Sequence, residues 1–323
     1  MDANKPTIKP IHVVSFSGGK DSLATLLLAL DRVPRDRLRV LFIDTGNEHI
    51  ATYEYLDALE IDLGIKIERR SADFSDEFAA RRMRIARDQR VGRDAKGRRI
   101  RWSNASKRRA LSVLHPTGIP FLDMCLLQGT FPSNRTRFCT KYLKRDVSAE
   151  LMLDLLEKDS PVVVWQGTKR ADSDKRANLG WSQRHSKKIR FFRPVLRWED
   201  SDVFAFIRKR GVKLNPLYDS GFSRVSCDPC IYSRKSEIAL LAQTQPEVVA
   251  RIRAWESLVS RASRFGFAAF FAGKEIPHTP AQARERLGID GVVRWAKVDF
   301  RKNKKASYEE VFETCAAEHG YCE

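Results

Sequence analysis

Two groups of residues in this 323-residue chain have the types and spacing to do chemistry. The first is the run Ser17-Gly18-Gly19-Lys20-Asp21-Ser22, set between an apolar stretch and an apolar repeat. Small residues after a strand let backbone N–H groups converge on phosphate oxygens at the start of a helix. Lys20 would add charge there, and the Ser17 and Ser22 hydroxyls would donate hydrogen bonds. The Gly-x-x-x-x-Gly-Lys spacing of a Walker A loop is absent, so the turn is of another kind. A tight turn with solvated polar groups would use the same residues, and Gly-Gly-Lys alone does not separate the two.

The second group is the cysteines, of which there are six. Cys227 and Cys230 frame Cys-Asp-Pro-Cys, a spacing that points two sulfurs at one metal without closing a site. Cys125 and Cys139 flank "LLQGTFPSNRTRF". If the fold gathers these four, sulfur-only ligation suits a tetrahedral zinc ion or a 4Fe–4S cluster, with free reduced thiols as the remaining reading. Cys315 and Cys322 lie near the C-terminus, and their role is open. The pattern is not that of a secreted disulfide framework.

Charge adds a third signal. The chain has 59 basic and 41 acidic residues, a net +18, which attracts polyanions. Between Arg81 and Ala110 there are 13 Lys and Arg against Asp88 and Asp94, a net +11. Three readings fit this segment: a solvated basic face, contact with the phosphate backbone of DNA or tRNA, or an anionic small substrate. Hydrophobic residues at 42% and charged residues at 31% suit a globular protein with one sizeable core, or with one core plus a smaller satellite. No apolar run is long enough to span a bilayer and the N-terminus lacks a secretion pattern, so the expectation is a cytoplasmic protein without a membrane partner.

The elements that must position these residues are legible as an alternation. "IHVVSF" (Ile11 to Phe16) reads as a buried strand, and Leu23, Leu26, Leu27 and Leu30 follow at helix spacing. "LRVLFIDTG" (Leu38 to Gly46) reads as a strand, "EHIATYEYLDAL" as a helix and "IKIERR" as a third strand. "PVVVWQGTKR" (Pro161 to Arg170) is a later strand, with a helix over Leu151 to Lys158 before it. "DSDVFAFIRKRG" reads as a capped helix stopped by glycine. The pattern predicts an α/β fold with a mostly parallel, Rossmann-like sheet. Residues 1–235 would form the core. Its basic insertion at about 81–110 would hold a helix and then a hairpin over "VGRDAKGRR", and residues 236–323 would be mainly helical.

Several segments together resemble the phosphoadenosine phosphosulfate (PAPS) reductase family. That family lies within the adenine nucleotide α-hydrolase-like superfamily of PP-loop ATP pyrophosphatases. Besides the Ser17–Ser22 turn, they are "FIDTGNEHIATYEYL", "GTFPSNRTRFCTKYLKRD", "QGTKRADSDKRA" and "FFRPVLRWEDSDVFAFIRKRGVKLNPLYDSGFSRVSCDPC", in consistent order over roughly residues 12 to 235. The resemblance implies ATP, or a PAPS- or APS-type sulfonucleotide, over Ser15, Ser17, Gly18, Gly19, Lys20, Asp21 and Ser22. Asp21 would assist Mg²⁺ or hold the loop. Asp44 and Thr45 would approach the nucleotide, Glu48 would start the next helix, and Gly167, Lys169, Arg170 and Arg176 would meet phosphate. Arg137 and Lys144 belong to the substrate-side segment. Lys20, Asp21, Arg137, Lys144, Lys169 and Arg170 are the candidate catalytic residues.

Departures limit the resemblance. Where the family commonly has Arg and then Glu-Ser, this chain has Lys169-Arg170 and Asp172-Ser173. The thiol reductases' Glu-Cys-Gly-ϕ-His tail is replaced by "ETCAAEHGYCE". Cys125 and Cys139 are far apart in sequence, nearer the pattern of the iron–sulfur subunit of DNA phosphorothioation systems than the adjacent pair of adenylyl-sulfate reductases. The expectation is therefore an ATP pyrophosphatase or adenylyltransferase type of sulfur-transfer enzyme acting on DNA or tRNA. Its metal site would be Cys125, Cys139, Cys227 and Cys230, and a cysteine desulfurase or other sulfur donor would be its partner. PAPS or APS reduction is the first alternative. A non-catalytic, nucleotide-sensing, nucleic-acid-binding subunit is the second.

Overall fold

β1 (Ile11–Phe16) carries apolar side chains on both faces, and Val13 and Val14 are fully buried, as in a central strand covered on both sides. This computed structural model describes residues 9–93, 97, 99–133, 135–158, 160–271 and 288–302. Cys315 and Cys322 lie outside these residues, as does much of the expected C-terminal region.

After β1 the chain runs through α1 (Lys20–Leu30), β2 (Leu38–Asp44), α2 (Ile50–Leu63) and β3 (Ile67–Ser71). It then leaves the sheet for α3 (Ser75–Arg87), the hairpin β4 (Gly92–Arg93) and β5 (Arg99–Ile100), α4 (Asn104–Leu111) and α5 (Pro120–Gln128). It returns through α6 (Asp146–Glu157), β6 (Val162–Gln166), β7 (Ser182–Arg184), β8 (Ile189–Phe192) and α7 (Asp200–Lys209). Three helices follow among the described residues, α8 (Lys235–Thr244), α9 (Pro246–Ala262) and α10 (Ile289–Lys302).

The six-stranded sheet has the order β3-β2-β1-β6-β8-β7, parallel except for β7 on the edge. In register, Val14 lies between Val40 and Trp165. The chain builds outward from β1 to β3 and then returns to the other side of β1 with β6. The boundary between β1 and β6 is therefore the topological switch point, where a parallel α/β sheet opens a crevice at its carboxyl ends.

One face of the sheet packs Val14, Phe16, Val40 and Phe42 against α1, α2 and α7, with Leu23, Leu26, Leu56 and Ile207 almost wholly buried. The other packs Val13, Leu41, Val162 and Val164 against Leu151, Met152 and Leu155 of α6. Each such side chain removed from water contributes roughly 1.5–3 kcal/mol before conformational entropy is charged. A separate helical core joins Phe121 and Leu126 of α5 to Ile252, Trp255 and Val259 of α9. Phe121 and Trp255 stack with ring centroids 5.7 Å apart.

The expected α/β alternation is the observed one. Helix α2 starts later than expected: His49 caps it by accepting a hydrogen bond from Ala51 N at 2.9 Å, and Glu48 lies outside the helix. The strand expected over Pro161 to Arg170 ends at Gln166, freeing Gly167 to Arg170 to turn at the crevice. Within the basic insertion, the expected helix and hairpin are α3 and β4–β5. No described helix is long and apolar enough to cross a membrane.

Candidate active site

The chain leaves β1 at Ser17 and enters α1 at Lys20, with Gly18 at φ +79°, a conformation that favours glycine. Ser15 remains in the strand, paired in register with Leu41 and Gln166. The turn is braced from within. Ser17 N donates to Ser22 Oγ at 3.2 Å, and Ser22 Oγ donates to Gly19 O at 2.9 Å. Lys20 N donates to the Tyr218 hydroxyl at 2.9 Å, tying the turn to the Asn215-Pro216-Leu217-Tyr218 run.

Across the switch point, the turn after β6 brings Gly167 under the first turn of α1 and delivers Lys169 beside Asp21. The result is a closed ring of four charges. Lys20 Nζ lies 3.3 Å from Asp21 Oδ2 and 3.4 Å from Asp200 Oδ1. Lys169 Nζ lies 3.3 Å from Asp21 Oδ1 and contacts Asp200 Oδ1 more closely still. Lys169 is 2% exposed and Asp21 3%, whereas the Asp200 side chain is 59% exposed. Burial disfavours the charge on Lys169, but Asp21 and Asp200 outweigh it and hold the ammonium above its ordinary pKa. Burial likewise pushes Asp200 up, and the two lysines outweigh it and hold it below the carboxylate range.

Asp172 extends the ring. It accepts from Lys169 N at 3.1 Å and pairs with Arg176 at 2.6 Å, so Arg176 adjoins the site through Asp172. Arg170 turns elsewhere, its guanidinium donating to Leu179 O at 2.7 Å.

A second cluster lies at the end of β2. Asp44 Oδ1 accepts from Gly46 N at 2.8 Å and the Tyr53 hydroxyl at 2.7 Å. Thr45 is fully buried and donates through N and Oγ1 to the Glu48 carboxylate at 3.1 and 2.7 Å. Its hydroxyl also lies 3.8 Å from Cys227 Sγ, and Glu48 forms a backbone bridge with Cys227. Burial pushes the Glu48 carboxyl up, and neighbouring Asp44 adds to the shift.

The four candidate cysteines are linked pairwise to this cluster through Cys227. Cys125 is fully buried on α5, and Cys139 opens a π-helical turn over Thr140–Arg145. Electrostatic interactions run from Cys125 to Cys139, from Cys139 to Cys230 and from Cys230 to Cys227. Burial raises Cys125 and Cys139 and pushes Cys227 up to about 12. Lys144 faces the group. Cys227 is the largest influence raising its pKa, ahead of the burial that opposes it, with Glu48, Cys230 and Cys139 adding. Lys144 is exposed to solvent. Arg137 stacks over the Tyr232 ring at 5.0 Å, just beyond Cys230. Among the described residues, no group of three or more His, Cys, Asp or Glu side chains is arranged to hold a metal ion.

The fold thus gathers Lys20, Asp21, Gly167 and Lys169 at one point, and Thr45, Lys144 and the four cysteines at another. Residues 215–230 run between them. Asp200 and Tyr218 were not singled out from the sequence, and Glu48 was expected only as a helix start. Tyr218 could have been flagged by the Asn-Pro-Leu-Tyr run. Nothing distinguishes Asp200 from the neighbouring acids Glu199 and Asp202 until the fold aims it at the lysines.

Comparisons with known proteins found one family model and several similar chains. Residues 11–233 match the model of the phosphoadenosine phosphosulfate reductase domain. An uncharacterized 37.8 kDa protein of Escherichia phage 186 is 41% identical over 298 residues, covering 90% of this chain and 87% of that protein. An adenosine 5'-phosphosulfate reductase of Streptomyces coelicolor is 37% identical over 68 residues, 20% of this chain and 28% of that enzyme. The PAPS reductase of Candida auris, solved as a phosphate complex, superposes with a TM-score of 0.41 at 15% identity over 68% of this chain and 83% of that one. With the family match spanning both the lysine-bearing turns and the Cys227–Cys230 pair, the chain belongs to the phosphoadenosine phosphosulfate reductase domain family, a family of nucleotide-utilising enzymes.

Proposed function

We propose that the chain is an ATP-dependent adenylyl-transfer enzyme that releases pyrophosphate and activates a nucleic-acid acceptor for sulfur insertion. The observation that carries this reading is the pairing of Lys20 and Lys169 at the sheet's switch point, next to a neighbourhood of four thiols. The acceptor oxygen attacks the α-phosphorus of ATP and pyrophosphate leaves. A sulfide-level nucleophile from a sulfur donor then displaces AMP together with that oxygen. Lys20 and Lys169 supply charge to the phosphates, and such electrostatic placement is the main requirement of the transfer. Asp21 Oδ1 is buried with only the Lys169 ammonium, 3.3 Å away, facing it, so a share in Mg²⁺ binding would require that ammonium to turn toward the phosphates.

Burial raises the Cys125, Cys139 and Cys227 thiols, so nucleophilic attack and metal ligation alike need a partner that draws off the proton, and a bound metal ion or cluster is such a partner. A zinc ion would need the sulfurs drawn to about 3.8 Å from one another, given Zn–S of about 2.3 Å. A 4Fe–4S cluster is the other group that a sulfur-only set of four cysteines takes, and it holds its thiolates farther apart. Cys125, Cys139, Cys227 and Cys230 would hold it, with Lys144 opposing its negative charge, and it would supply electron or sulfur handling. The arginine-rich α3 and β4–β5 hairpin would guide the polyanion.

Anaerobic purification with iron, sulfide and zinc assays tests the ligand set, and pyrophosphate release with and without DNA or tRNA tests the reaction. Nucleic-acid-stimulated release supports the proposal. Robust PAPS or APS reduction without such stimulation would transfer the reading to sulfonucleotide reduction, and zinc-only active protein would remove the cluster.

A further inference from the structure

We propose that Asp200 is an anion-mimicking latch on the phosphate site: its carboxylate occupies the position between Lys20 and Lys169 that a polyphosphate takes, and must vacate it for the nucleotide to seat. This rests on reading the Ser17–Ser22 turn as a polyphosphate site.

The ring Lys20–Asp21–Lys169–Asp200 carries two positive and two negative charges, so a polyanion gains little from it while it stays closed. One carboxylate has to leave. Asp21 is confined: its side chain is 4% exposed in the first turn of α1, and its two oxygens face different lysines. Asp200 is not confined. Its side chain is 59% exposed, and a single oxygen, Oδ1, reaches both ammonium groups. A change of rotamer would put it in water, where its charge is solvated without cost.

The backbone that carries Asp200 does not depend on this contact. Glu199 and Asp202 cap α7 reciprocally, with Glu199 N donating to Asp202 Oδ2 at 2.9 Å. Val203 and Ile207 are fully buried in the core that α7 shares with α1. The latch therefore opens by a side-chain movement on a fixed helix. It also confers selectivity. Chloride or a lone phosphate competes poorly with a carboxylate already in place, while a polyphosphate brings enough charge to engage both lysines and displace it.

The test is equilibrium binding of inorganic pyrophosphate to the full chain and to Asp200→Asn, Asp200→Glu and Lys20→Met, in EDTA and again with Mg²⁺. Thermal melts confirm that each variant is folded. In EDTA, Asp200→Asn should bind pyrophosphate about five- to tenfold more tightly than the parent, an effect sized for one partly exposed charge. Asp200→Glu, which restores the charge, should return to within about twofold. Lys20→Met should abolish binding. If binding depends on Lys20 but Asp200→Asn is equal or weaker in EDTA, the latch is overturned while the phosphate site stands. If Asp200→Asn weakens binding only with Mg²⁺, Asp200 is a metal ligand and the latch is again overturned. Binding that is absent, or indifferent to Lys20→Met, overturns the polyphosphate reading and the latch with it.

Discussion

A Cβ atom placed on Gly167 would lie 2.8 Å from the carbonyl carbon and oxygen of Asp21, and equally close to Ser22 N. The obstacle is backbone at the start of α1, which cannot rotate aside as a side chain would. Gly167 thus fixes how closely the turn after β6 approaches the turn after β1, and that approach puts Lys169 on Asp21. Gly167→Ala should lower stability by about 1–3 kcal/mol and weaken ATP binding by tenfold or more, on the order of the effect of misplacing one charge-assisted contact. Denaturant unfolding and equilibrium nucleotide binding measure the two effects, and an unperturbed variant would show that the approach is not needed.

Lys169 and Lys20 contact the same carboxylates but should fail differently. Lys169→Ala leaves Asp21 buried beside one remaining cation, so a loss of about 3 kcal/mol in stability is expected. Lys20→Ala should lose less stability, while pyrophosphate release falls by about 10²–10³. Melting temperatures and turnover measured on both variants check the separation. Equal stability losses would mean that the ring does not distribute burial in this way.

The basic insertion contains cations with different duties. Arg109 donates to Ser263 O at 2.9 Å, and Arg82 to Leu111 O and Leu114 O at 2.6 and 3.0 Å. Arg84 and Arg87 lie exposed on α3. Arg84→Ala/Arg87→Ala should weaken nucleic-acid binding and reduce the slope of log K against log salt by about 2 for duplex DNA. Arg109→Ala should lower stability and leave that slope unchanged. Salt titrations of fluorescent-oligonucleotide binding distinguish the two. An unchanged slope in the double variant would remove α3 from the interface.

Stability should depend on pH through Glu256. This carboxyl is buried between α9 and the chain that follows, accepting from Phe270 N at 2.8 Å and Ile289 N at 2.9 Å. Burial pushes it up to about 7 from an ordinary 4.5. Between those values the native protein holds a proton that the unfolded chain has released. The contribution is fully present below pH 4.5 and is lost as pH rises through about 7, for a total on the order of 3 kcal/mol. Urea unfolding from pH 5 to pH 8 should show this decline, and Glu256→Gln should flatten it. A parent protein equally stable across that range would contradict the assignment.

The alternation of strands and helices was legible in the sequence, because burial on both faces leaves continuous apolar runs such as "VLFI" (Val40 to Ile43) and helix-period leucines such as Leu23, Leu26 and Leu27. The tight turn between β1 and α1 was legible as well, since a Gly at positive φ before a helix start is a local requirement met by neighbouring residues. The ends of elements were less legible. Glu48 reads as a helical acid by position, but its carboxylate is claimed by nearby Thr45 and its backbone by Cys227, a contact made from far along the chain. Which of Glu199, Asp200 and Asp202 faces the lysines shows only in the folded chain, as does the neighbourhood of the cysteines from α5, the π-turn and Cys-Asp-Pro-Cys. Strand and helix periodicity are set by residues a few positions apart. Charge partners and thiol neighbours are set by how a parallel sheet returns the chain to the carboxyl ends of its strands, a placement carried by packing across the whole core.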